Sequence, residues 1–156
     1  MDILKRNKRY ITVSAFVLAA GGLSALLSGG FDTYKLMEKP PFSPPGWVFP
    51  IVWSVLYILM AVAAVTVAES NDLDKTVGVK LFIAQLVINL IWPIIFFRFS
   101  AAKLALFWLL ALIVLVILTI RSFFSVSKRA GWLMIPYILW LFAAFYLNFG
   151  IVALNS

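Results

Sequence analysis

The stretch YKLMEKPPFSPPGWVFPIVW, Tyr34 to Trp53, has the makings of an ordered segment that is neither helical nor buried in a membrane. Five prolines, Pro40, Pro41, Pro44, Pro45 and Pro50, fall within eleven of its residues. Each fixes φ near −65° and removes a backbone donor, and each pushes its predecessor towards extended geometry. Such a segment is stiff before it binds anything. Asp32, Lys35, Glu38 and Lys39 are interspersed with Tyr34, Phe42 and Trp47, so it is amphipathic as well. It reads either as a rigid connector between two membrane spans or as a preformed lid over a pocket.

The residues around it settle the class. Of 156 residues 64% are hydrophobic and 12% charged, and the mean hydropathy is +1.06. A soluble domain carries roughly 25% charged residues, so the chain is expected to be an integral membrane protein. The net charge of +7 would suggest nucleic acid as partner in a soluble protein. Here the basic residues sit at the ends of apolar runs and act as topology signals, so the bilayer is the expected partner and nucleic acid is not. With no Cys there is no thiolate chemistry, and with no His the commonest general base and metal ligand are missing. No metal site is predicted.

Apolar runs of near-spanning length, about 20 residues each, lie at Tyr10 to Ser28, Trp47 to Ala68, Val77 to Phe97, Leu104 to Ile120 and Trp132 to Leu154. The fold expected is an all-α membrane protein, a single five-helix domain over 1–156 with the proline-rich loop between helices 1 and 2. The first run is too long for a signal-peptide core, and Gly21, Gly22, Ser24 and Ala25 give it a small-residue face for close helix contact. Pro50 is tolerated in the first turn of helix 2, whereas Pro93 should kink helix 3. ESNDLDKT and RSFFSVSKRAG read as loops, and helix 4 reads as facing lipid over much of its surface. Counting the loops, nine basic residues fall on the side of the N-terminus and four on the other. The positive-inside rule therefore predicts an inside N-terminus, with the proline-rich loop and the C-terminus outside.

Six tryptophans sort by depth. Trp47, Trp108 and Trp132 lie in the first turn or so of their helices, where an interfacial belt accounts for them. Trp53, Trp92 and Trp140 lie roughly 8 to 12 Å into the hydrocarbon, too deep for a belt. Helical spacing aligns Gln85, Asn89 and Trp92 on one face, Tyr137, Trp140, Ala144 and Asn148 on another, and Trp53, Tyr57 and Met60 on a third. Amides in hydrocarbon must face protein or a cavity. They serve either as interhelical hydrogen bonds or as the polar groups of an aromatic pocket for a flat apolar ligand.

YKLMEKPPFSPPGWVFPIVWSVLY (Tyr34 to Tyr57), QLVINLIWPIIFF (Gln85 to Phe97) and WLMIPYILWLFAAFYLN (Trp132 to Asn148), in this order and spacing, resemble the translocator protein family. These are the TspO/MBR or tryptophan-rich sensory proteins, also called peripheral-type benzodiazepine receptors. The resemblance implies a homodimer of five-helix bundles in a membrane, here a bacterial plasma membrane. It implies a pocket that binds porphyrins such as protoporphyrin IX, sterols in animals and benzodiazepine-type ligands. Its pocket residues carry over onto Tyr34, Pro44, Trp53, Asn89, Trp92, Trp140 and Ala144, to which the spacing adds Gln85 and Tyr137. Lys35 and Lys39 are candidates to pair with propionates. Protoporphyrin is then a ligand of a receptor or carrier, or the substrate of a light- and oxygen-dependent degrading enzyme in which Trp53 and Trp140 are catalytic. A third possibility is a membrane scaffold. The chain departs from the family in three places. No basic residue follows Arg129, so the animal cholesterol-recognition pattern is absent. Phe42 and Thr33 stand where some members carry Trp, and a Gly-xxx-Gly of helix 3 appears as Lys80 to Ala84.

Overall fold

The structure is a computed structural model that describes residues 2–30 and 32–156. Five long helices carry the chain through the membrane: α1 (Ile3–Leu27), α3 (Val48–Ala68), α4 (Lys75–Pro93), α5 (Ala102–Val126) and α6 (Lys128–Leu154), with a short helix α2 (Asp32–Leu36) after the first. Each of the five is long and apolar enough to span a bilayer. At 1.5 Å per residue, the 27 residues of α6 run about 40 Å, beyond the roughly 30 Å of hydrocarbon, so its ends reach the headgroups.

Local chemistry explains most boundaries. Asp2 caps α1 by accepting from the Leu4 amide, and Arg98 donates to the Leu27 carbonyl at its far end. Pro50 occupies the first turn of α3, where no intrahelical donor is needed. Pro93 ends regular α4, since it offers no N–H to the Asn89 carbonyl, and the chain continues as one wide π turn, Ile94–Arg98.

Two sequence expectations are corrected and a third is refined. RSFFSVSKRAG is not a loop. α5 and α6 run into it from both sides and leave only Ser127 extended, its hydroxyl capping α6 through the Ala130 amide. Aromatic packing drives this: Phe123 is fully buried, and Gly131 admits the Phe124 ring, where an added Cβ would lie 2.4 Å from it. The proline-rich stretch is not free of helix either, because α2 includes Tyr34, Lys35 and Leu36. Helix 4 of the sequence reading, now α5, leaves much of its surface outside the bundle as expected, with Leu104, Phe107, Leu110 and Val114 exposed, and packs inward along one face. Ala105, Leu109, Leu112, Val116, Thr119 and Phe123 form a buried stripe at helical spacing.

The spans close into a ring in the order α1, α3, α6, α5, α4, with α4 returning to α1. α3 also meets α4 across the middle. The α1–α3 seam is tight because of the small-residue face. Gly21, Ser24 and Ser28 are buried, and a Cβ on Gly21 would stand 2.2 Å from the Tyr57 ring. Gly22 points away, with open space around it.

Candidate functional site

Inside the ring, four side chains from three helices join in one relay. Tyr57 (α3) donates to Asn89 Oδ1 at 3.0 Å, Asn89 Nδ2 (α4) donates to the Tyr137 hydroxyl at 2.6 Å, and Tyr137 (α6) donates to Gln85 Oε1 (α4) at 2.8 Å. Every hydroxyl proton is used once. All four residues are buried, and each such bond contributes on the order of 0.6 to 2 kcal/mol within a membrane. Gln85, Asn89 and Tyr137, expected to face a ligand, are thus bonded to one another and line neither of the cavities beneath the loop. Of the two roles open to the amides, the structure assigns the interhelical one. Asn148, on the same face as Trp140, likewise donates to the Ala102 carbonyl of α5 at 2.9 Å.

The deep tryptophans surround this relay on its loop side, in two cavities. The first, about 80 Å³, lies among α1, α3 and α4, with Ser24, Ala25, Pro50, Trp53, Tyr57 and Trp92 in its wall. The second, about 340 Å³, lies between the loop and α6, walled by Pro44, Phe49, Trp140, Ala143, Ala144 and Leu147. Trp53 and Trp92 therefore share a space as their depths suggested, and so do Trp140 and Ala144. A single pocket holding all three tryptophans is not what the structure has. Phe49 lines both cavities and separates them, its ring 5.9 Å from Trp140 and 5.2 Å from Tyr34. Trp53 lines only the first cavity, its ring 5.5 Å from Tyr57 and 6.2 Å from Tyr137.

Sequence reasoning passed over Phe49 because one more Phe among 14 carries no signal. Its position four residues before Trp53, on the same helix face, was the available clue.

Both cavities are mainly apolar, with Ser24, Ser28 and Tyr57 in the wall of the first and Ser43 and Tyr146 in that of the second. The indole N–H groups of Trp92 and Trp140 are buried without an acceptor among the described residues. A buried unpaired donor costs roughly 1 to 3 kcal/mol, and each belongs to a tryptophan that lines one of the cavities. Trp108 differs: its indole donates to the Ile88 carbonyl at 2.8 Å, so it ties α5 to α4 as well as lying near the interface. Trp47 and Trp132 are exposed, as belt residues are.

The loop is docked, not hinged. Tyr34 is buried and donates to the Pro44 carbonyl at 2.7 Å, and burial raises its phenol pKa, partly offset by a hydrogen bond with Ser43. Tyr146 of α6 donates to the Pro41 carbonyl at 2.9 Å. The Asn155 side chain grips Glu38 at both backbone groups, at 2.8 and 3.2 Å, and Gly150 leaves room for the Pro40 ring, which a Cβ would meet at 2.4 Å.

Of the two lysines assigned to propionates, Lys39 is already engaged. Its ammonium donates to the Tyr34 and Met37 carbonyls at 2.9 Å and lies 4.9 Å over the Tyr34 ring. Lys35 pairs with Asp32 at 3.2 Å on an exposed surface. At the tip Phe42 is fully exposed with φ of +63°, the αL position that favours glycine.

A five-helix membrane bundle, capped by a proline-rich loop docked on its last helix and lined beneath that loop by tryptophan, is an integral membrane protein of a distinctive class. The TspO/MBR family model matches residues 12–154, and the chain belongs to that family. A tryptophan-rich protein TspO of Archaeoglobus fulgidus is 36% identical over the full length of both chains. One from Chlorobaculum tepidum is 39% identical over 78% of each chain. The translocator protein of Bos taurus is 32% identical over 77% of this chain and 73% of its own.

Proposed function

We propose that the chain is a membrane receptor or carrier for tetrapyrroles such as protoporphyrin IX and for other flat apolar molecules, bound beneath the proline-rich loop. The observation that carries this reading is the cavity of about 340 Å³ between loop and α6, with Trp140 and Phe49 as aromatic walls and Ala144 as floor. That volume is at the low end of the roughly 300 to 1,000 Å³ typical of small-molecule pockets. A four-pyrrole macrocycle needs the space on both sides of Phe49, so the ligand turns that ring aside and stacks between Trp140 and the Trp53–Trp92 pair. The free indole N–H groups then meet acceptors on the ligand. Tyr34 and Pro44 hold the lid, Asn89, Gln85 and Tyr137 support the floor, and Lys35 exchanges its exposed pairing with Asp32 for a propionate. The functional unit is a homodimer in a bacterial plasma membrane, N-terminus inside and loop outside.

Titrating the detergent-solubilised protein with protoporphyrin IX tests this. Saturable quenching of tryptophan fluorescence is expected, weakened severalfold in Trp53→Phe combined with Trp140→Phe. Unsaturable quenching, or the same curve for both proteins, would refute it.

A second reading draws on the ring contacts of Trp53 with Tyr57 and Tyr137. In it, a photoexcited porphyrin takes one electron from Trp53 or Trp140 and passes it to dioxygen as superoxide, and the indole radical takes an electron back from the macrocycle, so that the porphyrin is oxidised and dioxygen reduced. Equal bleaching under light by the wild type and by Trp53→Phe and Trp140→Phe would remove it.

A further inference from the structure

At the end of the bundle away from the loop, a cavity of about 490 Å³ opens between α3 and α6, lined by Leu59, Lys128, Arg129, Trp132, Leu133 and Pro136. Its floor is apolar and its rim basic. The rim is also electrostatically unbalanced. Lys128 and Arg129 occupy the first turn of α6, where the helix macrodipole is positive and cations are disfavoured. That turn holds no acidic residue, and the ion pairs among the described residues, Arg9 with Glu69 and Lys35 with Asp32, involve neither cation. Two charges and a helix terminus thus place positive potential at one mouth, and neither cation has an ion-pair partner among the described residues.

The cavity leads inward from there. From Lys128 to Pro136 the helix rises roughly 12 Å, the span from a headgroup into the upper acyl region. Trp132 stands exposed along this path, as tryptophans do at the level of lipid headgroups. Pro136 has no N–H, so the Trp132 carbonyl is without its helical donor.

We propose that this corner binds one anionic glycerophospholipid, its phosphodiester between Lys128 and Arg129 and an acyl chain along Leu59, Leu133 and Pro136. A guanidinium matches two phosphate oxygens at once. A zwitterionic headgroup would bring its own ammonium against two cations, and a free phosphate would leave the apolar floor empty. Anionic lipid answers both the charge and the groove.

Native mass spectrometry of the full chain from neutral detergent tests this, with phosphatidylglycerol and phosphatidylcholine of identical acyl chains. Wild type should retain one phosphatidylglycerol in preference to phosphatidylcholine. Lys128→Gln with Arg129→Gln should weaken that adduct by roughly thirtyfold, since each basic residue near anionic lipid contributes about fivefold. Lys5→Gln with Lys8→Gln, which removes the same charge elsewhere, should keep it. Leu133→Trp, which fills the groove with both cations intact, should also lose it, with helix content checked by circular dichroism. Retention in the Lys128/Arg129 variant, equal loss in the Lys5/Lys8 control, or displacement of the lipid by inorganic phosphate alone would each overturn the proposal.

Discussion

Tyr137 is the residue on which the centre of the bundle depends, since its one hydroxyl accepts from Asn89 and donates to Gln85. Tyr137→Phe keeps the ring and its 6.2 Å contact with Trp53 but leaves the Asn89 amide and the Gln85 carbonyl unpaired. We expect it to destabilise the protein by about 1 to 3 kcal/mol, read as a lowered midpoint of thermal unfolding in detergent. Gln85→Leu, which also removes the unpaired Nε2, should cost less than Tyr137→Phe. Spacing along α4 had placed Gln85, Asn89 and Trp92 on one buried face, and the structure buries all three. Spacing could not choose between a ligand and a protein partner for the amides. That choice depends on Tyr57 and Tyr137 arriving from other helices, a matter of how helices rotate against each other.

Among the elements, the loop and the C-terminal half of α6 act together. Asn155→Ala removes the grip on Glu38, and Gly150→Val drives a side chain into Pro40, which is 2.4 Å from the position of an added Cβ. Both should raise amide hydrogen exchange across Glu38 to Ser43 severalfold while leaving α3 and α4 protected; unchanged exchange would mean the loop is held by its prolines alone. The stiffness of the loop was legible from those prolines, but its anchoring was not. Gly150 in an apolar run reads only as a weak helix residue, and Asn155 only as a polar end. The α5–α6 boundary escaped for a related reason. Arg121, Ser122, Ser125, Lys128 and Arg129 look like loop residues by polarity, yet buried Phe123 and the seat of Phe124 against Gly131 keep that segment helical.

For the whole molecule, the division of the space beneath the loop is decided by Phe49. Phe49→Ala should join the 80 and 340 Å³ cavities. Large-to-small core changes of this kind cost about 3 to 5 kcal/mol when the space stays empty. The variant should therefore unfold at a lower temperature when unliganded, yet bind protoporphyrin IX faster and recover more stability from it than wild type does, as stopped-flow fluorescence and thermal scans would record. A binding rate no greater than wild type's would show that the loop, not Phe49, limits entry.

Five spans, a membrane setting and the depth of three tryptophans were determined by the sequence alone. They follow from one-dimensional quantities: run length against bilayer thickness, charge at the ends of runs, and residues counted along a helix. The tertiary structure alone decided which deep residues meet, that Phe49 splits one expected pocket into two, and that the amides bond to tyrosines instead of facing open space. The physical reason is that lipid is as apolar as the helix surfaces. Hydrophobicity therefore inserts the helices but hardly orients them, and rotation and neighbour are chosen by close packing at Gly21 and Gly131 and by a few buried hydrogen bonds.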